Sequence, residues 1–211
     1  MFQEELCMLK NIKIIFKKKL IKTRWRKRNR HNSTNALTIF NVDSVQVGNR
    51  SYGDLNILQF DQNATLKIGS NVSIAPCVHF LLGGEHDYSR ISTWPYQSLI
   101  YKQKSNWTSY ETVVEDDVWI GYGSTILTGV KIGKGSVIGA KSVVAKDIPP
   151  FSVYVGNKVI KKRFSPVVVE KIANIDFKNI SHKKGDTYEQ FCMTQVTEDN
   201  IDEIIKAFIK D

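Results

Sequence analysis

The stretch LGGEHDYSRISTWPY, Leu82 to Tyr96, sets His86 between two carboxylates, Glu85 and Asp87, with Tyr88 next and the paired glycines Gly83 and Gly84 before. An unperturbed histidine ionises near pH 6.5, so at neutral pH its imidazole carries a lone pair that can take a proton from an attacking hydroxyl. A general base of this kind contributes about 10² to 10⁴ in rate. The alternative use of a loop histidine is a bond to backbone or solvent. A metal centre would be a third use. His79 lies seven residues upstream, but a tri-histidine site needs another, and only His31 and His182 remain, both outside the periodic region described next. Cys7, Cys77 and Cys192 are odd in number, far apart and in no metal-like spacing, which reads as structural thiols in a reduced compartment. No metal is expected.

The elements that must position these groups follow a period of six. From Val114 to Pro149 the chain reads VEDDVW, IGYGST, ILTGVK, IGKGSV, IGAKSV, VAKDIP. The first position, Val114, Ile120, Ile126, Ile132, Ile138 and Val144, is always aliphatic, and the fifth is small or aliphatic. Helices recur at 3.6 residues and strands at 2, so strict six points instead to a parallel β-helix of short strands and corners, three units to a triangular coil. The glycine or alanine frequent at the second position is expected to serve the tight corner. Upstream, LKIGSN opens a second block with Ile68, Ile74 and Phe80 six apart but out of phase with the first. A segment between them, residues 83–113, must therefore loop out, and it carries His86. The loop aromatics Tyr88, Trp94, Tyr96, Tyr101, Trp107 and Tyr110 either stack on an acceptor or pack the loop, Trp94 and Pro95 being read as structural.

The expected fold is thus all-β, a β-helix domain over 36–164, with helices at both ends. Leu9, Ile12, Phe16 and Leu20 make a stripe among lysines in a basic N-terminal segment, 1–35, in which HNSTN (31–35) reads as a linker. Residues 165–211 form a helical tail. There Ile201, Ile204, Ile205, Phe208 and Ile209 share a face, with Thr197 as N-cap and Glu198 and Asp199 in the first turn. The net charge of +9 is local: eleven Lys and Arg stand against two Glu before His31, while acidic residues dominate after Gly185. That density suits either an interfacial helix making peripheral membrane contact through residues 1–30 or a helix packed on the prism. No recognition motif accompanies the charge, so no nucleic-acid partner is expected. No apolar run reaches the roughly 18 residues of a membrane span, and basic residues interrupt any secretory leader, so the expected location is the cytoplasm, with the basic segment as a means of reaching the inner membrane face.

The hexapeptides, the interrupting GG-x-H loop, STWPY and the DVWIGYGSTILTGVKIGKGSVIGAKSVV-x-KD run with its basic IKKRF tail together resemble the left-handed β-helix acyltransferases. Within them they resemble the xenobiotic and CatB-related O-acetyltransferase branch, over about Val45 to Phe164. The resemblance implies a homotrimer with active sites between subunits, acetyl-CoA as co-substrate and His86 as catalytic base. It also implies cofactor contacts at Trp119, Gly121, Gly139, Ala140 and Ser142, with Lys146, Lys158 and Lys161 near the CoA phosphates. Asp87, Tyr88 and Glu85 would face the acceptor. Relatives commonly carry a neutral residue where this chain has Glu85, a carboxylate that would either raise the pKa of the base or point to water. The reaction so implied is acetyl transfer to a hydroxyl of a sugar, a surface polysaccharide or its precursor. Antibiotic modification, amino-sugar N-acetylation and a non-catalytic scaffold are the alternatives.

Overall fold

A computed structural model describes residues 2–101, 110–175 and 193–209, with side chains omitted at 2–8, 97 and 207–209. Short parallel strands wind into coils with three faces. Face B holds β2 (Val45–Val47), β4 (Thr65–Ile68), β7 (Glu111–Val114) and β10 (Lys131–Ile132). Face A holds β1 (Ser33–Ala36), the first part of β3 (Tyr52–Gln59), β5 (Ser73–Ile74), β8 (Trp119–Ile120), β11 (Val137–Ile138) and β13 (Ser152–Val155). Face C holds the rest of β3, then β6 (His79–Leu82), β9 (Thr125–Ile126) and β12 (Val143–Val144).

The hexapeptide register explains the interior. Ile74, Ile120, Ile138 and Tyr154 stack up face A, Val47, Ile68, Val114 and Ile132 up face B, and Ile57, Phe80, Ile126 and Val144 up face C. All are at most 7% exposed, and the fifth-position residues Val118, Ser124, Val130, Ser136, Ser142 and Ile148 are buried with them. Each buried aliphatic removes surface worth roughly 1.5–3 kcal/mol from water.

The corner works differently from the sequence expectation. The left-handed backbone falls on the fourth position of the unit, Asp117, Gly123, Gly129, Gly135 and Lys141, not the second. The second position is small because coils touch there. A Cβ on Gly121 would lie 2.7 Å from the amide nitrogen of Ala140 and from the carbonyl oxygen of Ile138 in the next coil. Close approach between coils, rather than backbone freedom, selects glycine there.

Residues 31–35 are not a linker. Ser33–Ala36 is strand β1, in register with Tyr52–Leu55, and His31 Nε2 bonds the Val47 carbonyl at 2.8 Å. The polar residues that looked like a linker are buried and satisfied by each other. Thr34 Oγ1 accepts from Trp25 Nε1 at 3.1 Å and donates to Asn32 Oδ1 at 2.8 Å. Trp25 is the anchor of helix α1 (Phe2–Arg28): it is fully buried, edge-on to Phe40, while Arg24 and Arg28 both pair with Asp43. The last two turns of α1 thus cover the first coil, and Leu9 to Leu20 are exposed.

At the other end, β13 turns back into β14 (Lys158–Lys162), antiparallel to it. After the one-turn loop helix α2 (Tyr96–Leu99), helices α3 (Pro166–Ile172) and α4 (Ile201–Ile209) are joined to the last coil by a small second cluster of Phe151, Val168, Ile172 and Ile201. The expected cap at Thr197 is displaced: α4 begins at Ile201, with Asn200 O accepting from the Ile204 amide at 3.1 Å and Asn200 Oδ1 from the Thr197 amide at 2.8 Å. Of the expected stripe, Ile201 and Ile204 are buried, Ile205 packs on the cluster, and the side chains of Phe208 and Ile209 lie outside those described.

Candidate functional site

Val114 follows its neighbour one coil down, Ile68, by 46 residues, where Ile132 follows Val114 by 18. The extra chain is the excursion that leaves β6 after Leu82 and returns at Glu111, so the last three residues of the expected 83–113 loop belong to strand β7. Its root sits at the corner between faces C and B. The positive φ of Gly83 (79°) and Gly84 (98°) turns the chain outward, and the Gly83 amide bonds Thr128 Oγ1 at 3.1 Å. A Cβ on either glycine would press on Asp61 or Phe60 of the coil below.

Within the loop, His86 Nδ1 lies 2.7 Å from the Thr93 carbonyl oxygen. A carbonyl only accepts, so Nδ1 carries the hydrogen and the neutral ring keeps its lone pair on Nε2. The ring is exposed, which leaves Nε2 reachable. This is the tautomer and anchorage a general base needs. Asp87 has a different task. Its carboxylate accepts from the Ser89 hydroxyl and amide and from Arg90 Nε, and these bonds hold it below the usual carboxylate range. It clamps the turn beyond His86 rather than facing an acceptor. Tyr88 is 90% exposed and Glu85 is exposed as well, the arrangement of a carboxylate in water. Trp94 meets Tyr96 edge-on at 4.5 Å, so these two aromatics pack the loop. Trp107 lies outside the described residues.

The other candidates gather elsewhere. Trp119 is 55% exposed on the outer surface of face A, in a cross-strand ladder with Ser73, Val137 and Val153. The ladder continues into β14, where Lys161 pairs with Val153 and Lys158 with Val155, so both lysines share the face of Trp119. At about 4.8 Å per strand, three steps set Lys161 roughly 14 Å from Trp119. An apolar strip closed by two cations fits a long molecule with an apolar arm and a phosphorylated end. Gly139 and Ala140 border this face at the corner with face C, where Lys141 Nζ stands 4.9 Å over the Tyr122 ring. Lys141 and Tyr122 had no signal in the sequence beyond their place in the repeat.

Two expected cofactor contacts are not available. Ser142 is fully buried, its Oγ accepting from the Gly156 amide at 3.0 Å, and Gly121 is buried against the next coil. Both space the coils. Lys146 is exposed but stands at the corner between faces C and B, near the root of the loop and away from Lys158 and Lys161. In one chain, then, His86 and the Trp119–Lys161 face have their roots on different sides of face C.

The outer surfaces of the three faces also differ. Face B carries Lys67 and Lys131, paired with Glu111 and Glu115 at 2.7 Å each. Burial alone would raise Glu115, but hydrogen bonds from Lys131 and the Lys134 amide lower its pKa on balance. A shallow groove of about 580 Å³ crosses this face, lined by Lys67, Ser70, Glu115 and Lys134, and none of the candidate residues borders it. Face C presents Asn56, half-buried His79, Thr125 and Val143 in register, and face A the ladder above. Among the described residues no group of three metal-ligating side chains occurs, and no helix is long and apolar enough to cross a membrane.

Known proteins match this frame. The bacterial transferase hexapeptide family (six repeats) matches residues 111–146. A probable macrolide acetyltransferase of Lysinibacillus sphaericus is 36% identical over 126 residues, 55% of this chain and 70% of the relative. A galactoside O-acetyltransferase of Lactococcus lactis is 31% identical over 152 residues, 72% of this chain and 65% of that protein. The solved structure of a maltose O-acetyltransferase from Clostridium difficile superposes with a TM-score of 0.50 at 32% identity, over 64% of this chain and 67% of the other. The coils are therefore those of the left-handed β-helix, and by repeat, coverage and shape the chain belongs to the hexapeptide-repeat acetyltransferases.

Proposed function

We propose that this protein transfers an acetyl group from acetyl-CoA to a hydroxyl of a sugar, a surface polysaccharide or its precursor. The observation that carries the reading is the Nδ1–H bond of His86 to the Thr93 carbonyl, which presents Nε2 as a base four residues beyond the end of β6. Acetyl-CoA supplies the acetyl thioester. His86 Nε2 takes the hydroxyl proton as the acceptor oxygen forms its bond to the acetyl carbon; the carbon–sulfur bond then breaks, and the departing thiolate takes that proton from Nε2 to leave as the CoA thiol. Trp119, Val137 and Val153 offer the apolar strip for the pantetheine arm, with Gly139 and Ala140 at its edge and Lys158 and Lys161 as cations for phosphate. Tyr88, beside the base, is the acceptor contact.

The separate roots of loop and strip support a site completed by a second chain, and a homotrimer would supply one. Each prism in a closed ring of three meets two neighbours. The ladders Ser73–Trp119–Val137–Val153 on face A and Asn56–His79–Thr125–Val143 on face C hold no ion pair, and so suit that burial better than face B with its two. Cys77, whose side chain alone among the three cysteines is described, is an exposed thiol in no disulfide, which suits a reduced compartment. The similarity to a probable macrolide acetyltransferase favours one second reading, an antibiotic hydroxyl as acceptor in the same chemistry.

The test is calorimetric titration of acetyl-CoA into wild type and His86→Ala, followed by CoA release with a panel of sugars and antibiotics. Binding by both, with kcat for the accepted substrate reduced about 10² to 10⁴-fold in the variant, is expected. A folded wild type that does not bind acetyl-CoA would overturn the transferase reading.

A further inference from the structure

Helix α1 has a face that nothing in the fold uses. Its last turns dock through Ile21 and Trp25, but every described residue from Leu9 to Leu20 is exposed. Leu9, Ile12, Phe16 and Leu20 recur at three- and four-residue spacing and are 53%, 41%, 69% and 68% exposed. They form one stripe about 16 Å long at 1.5 Å per residue. Lys13 and Lys17 flank it on one side and Lys19 on the other, all exposed. Between Leu9 and Arg28 the helix carries no acidic residue, and the nearby Asp43 is already engaged by Arg24 and Arg28.

We propose that α1 is an interfacial helix that lays this stripe into the surface of an anionic lipid bilayer. The two halves of the observation choose the occupant together. Lysines flanking an apolar stripe reach up to anionic headgroups while their stems and the stripe enter the acyl boundary. A second copy of α1 would bring the same cations face to face. A polyanion such as nucleic acid would satisfy the lysines and leave Phe16 and Leu20 in water. Because Trp25 locks the rear of the helix to the first coil, the stripe has a fixed direction relative to the prism, and the whole domain is held at the surface in one pose. The inference stands on α1 alone and does not depend on the acetyl-transfer reading.

The experiment is co-sedimentation of the full chain with phosphatidylcholine vesicles, with and without phosphatidylglycerol. It compares wild type, Phe16→Glu/Leu20→Glu and Lys13→Glu/Lys17→Glu/Lys19→Glu. Circular dichroism and light scattering are run on each protein, and since all five side chains are exposed, fold should be retained. Wild type is expected to pellet with anionic vesicles and not with neutral ones, to be released by high salt, and to lose about tenfold or more of its partitioning in either variant. Absence of wild-type pelleting, equal pelleting of Phe16→Glu/Leu20→Glu, or equal binding to neutral vesicles would overturn the proposal. A fall in oligomer mass in the stripe variant would also overturn it, by making the stripe an interface between copies. So would charge-dependent binding to duplex DNA with vesicle binding unaffected by either variant.

Discussion

Replacing Gly133 by alanine should cost more than its single methyl group suggests. The glycine has an ordinary negative φ, so its backbone would accept any residue. The obstacle is the coil above it. A Cβ there would sit 2.7 Å from Pro150 Cδ, 2.8 Å from the Ile148 carbonyl oxygen, and closer still to the Pro150 nitrogen. Carbon contacts are comfortable at about 3.5–4.0 Å, so the last coil must lift by roughly an ångström. Lifting it stretches the 2.8 Å bond from the Gly133 amide to Ile148 O. Overpacking costs about 1–3 kcal/mol and a lost hydrogen bond about 1 more, for a total of about 2–4 kcal/mol. At roughly 2–4 °C per kcal/mol for a chain of this size, the melting midpoint should fall by roughly 4–16 °C. Gly156→Ala is the matched control. Its φ is +66°, and no atom lies within 4 Å of the new Cβ, so it pays only the left-handed penalty of about 1–2 kcal/mol. Scanning calorimetry at one protomer concentration compares the two. A Gly133→Ala midpoint equal to or above that of Gly156→Ala would refute coil contact as the reason for glycine at the second position.

Trp25→Ala should destabilise by about 3–5 kcal/mol, since it empties a fully buried site and removes the donor to Thr34 Oγ1, and protease susceptibility of α1 in limited digestion will report the loss. Lys158→Ala/Lys161→Ala should raise KM for acetyl-CoA several-fold and leave kcat nearly unchanged, with the wild-type KM rising with salt; an unchanged KM would remove the phosphate role. Glu115 has a lowered folded pKa, so its contribution is present above its ordinary value of 4.5 and is lost as pH falls through the folded value. Glu115→Gln should therefore lower stability to urea at pH 7, with the gap to wild type closing in acid; a gap that is constant with pH would refute this.

The hexapeptide period carried most of the frame, because each first-position side chain reports one strand and one interior stack. Ile68, Ile74 and Phe80 located the out-of-phase block, and hence the loop with His86, from arithmetic alone. What was hidden depends on contacts across coils. HNSTN looks like a linker because its polarity is satisfied by Trp25 and by its own neighbours, pairings that no local window can show. The second-position glycine was assigned to the wrong cause, since crowding from a strand 18 residues away leaves no mark on local composition. Ser142 failed as a cofactor contact for the same reason: its hydroxyl is turned inward by the Gly156 amide. The tautomer of His86 also needed the fold, because Thr93 O reaches it only after the chain has turned through Asp87 and Ser89.

The covered ends of the prism have a consequence for what kind of object this chain is. A parallel coil has no natural length, since each turn exposes the same row of amides and carbonyls that the next turn reads. Left bare, such an end is a template, and two molecules could continue one another as monomers continue a fibre. Here α1 lies over the first coil through Trp25, and β14 occupies the far edge of face A with its strand direction reversed and every residue exposed. The reversal offers an incoming parallel strand the wrong pattern of donors and acceptors. These two stoppers make the molecule a particle of defined size rather than the seed of a filament.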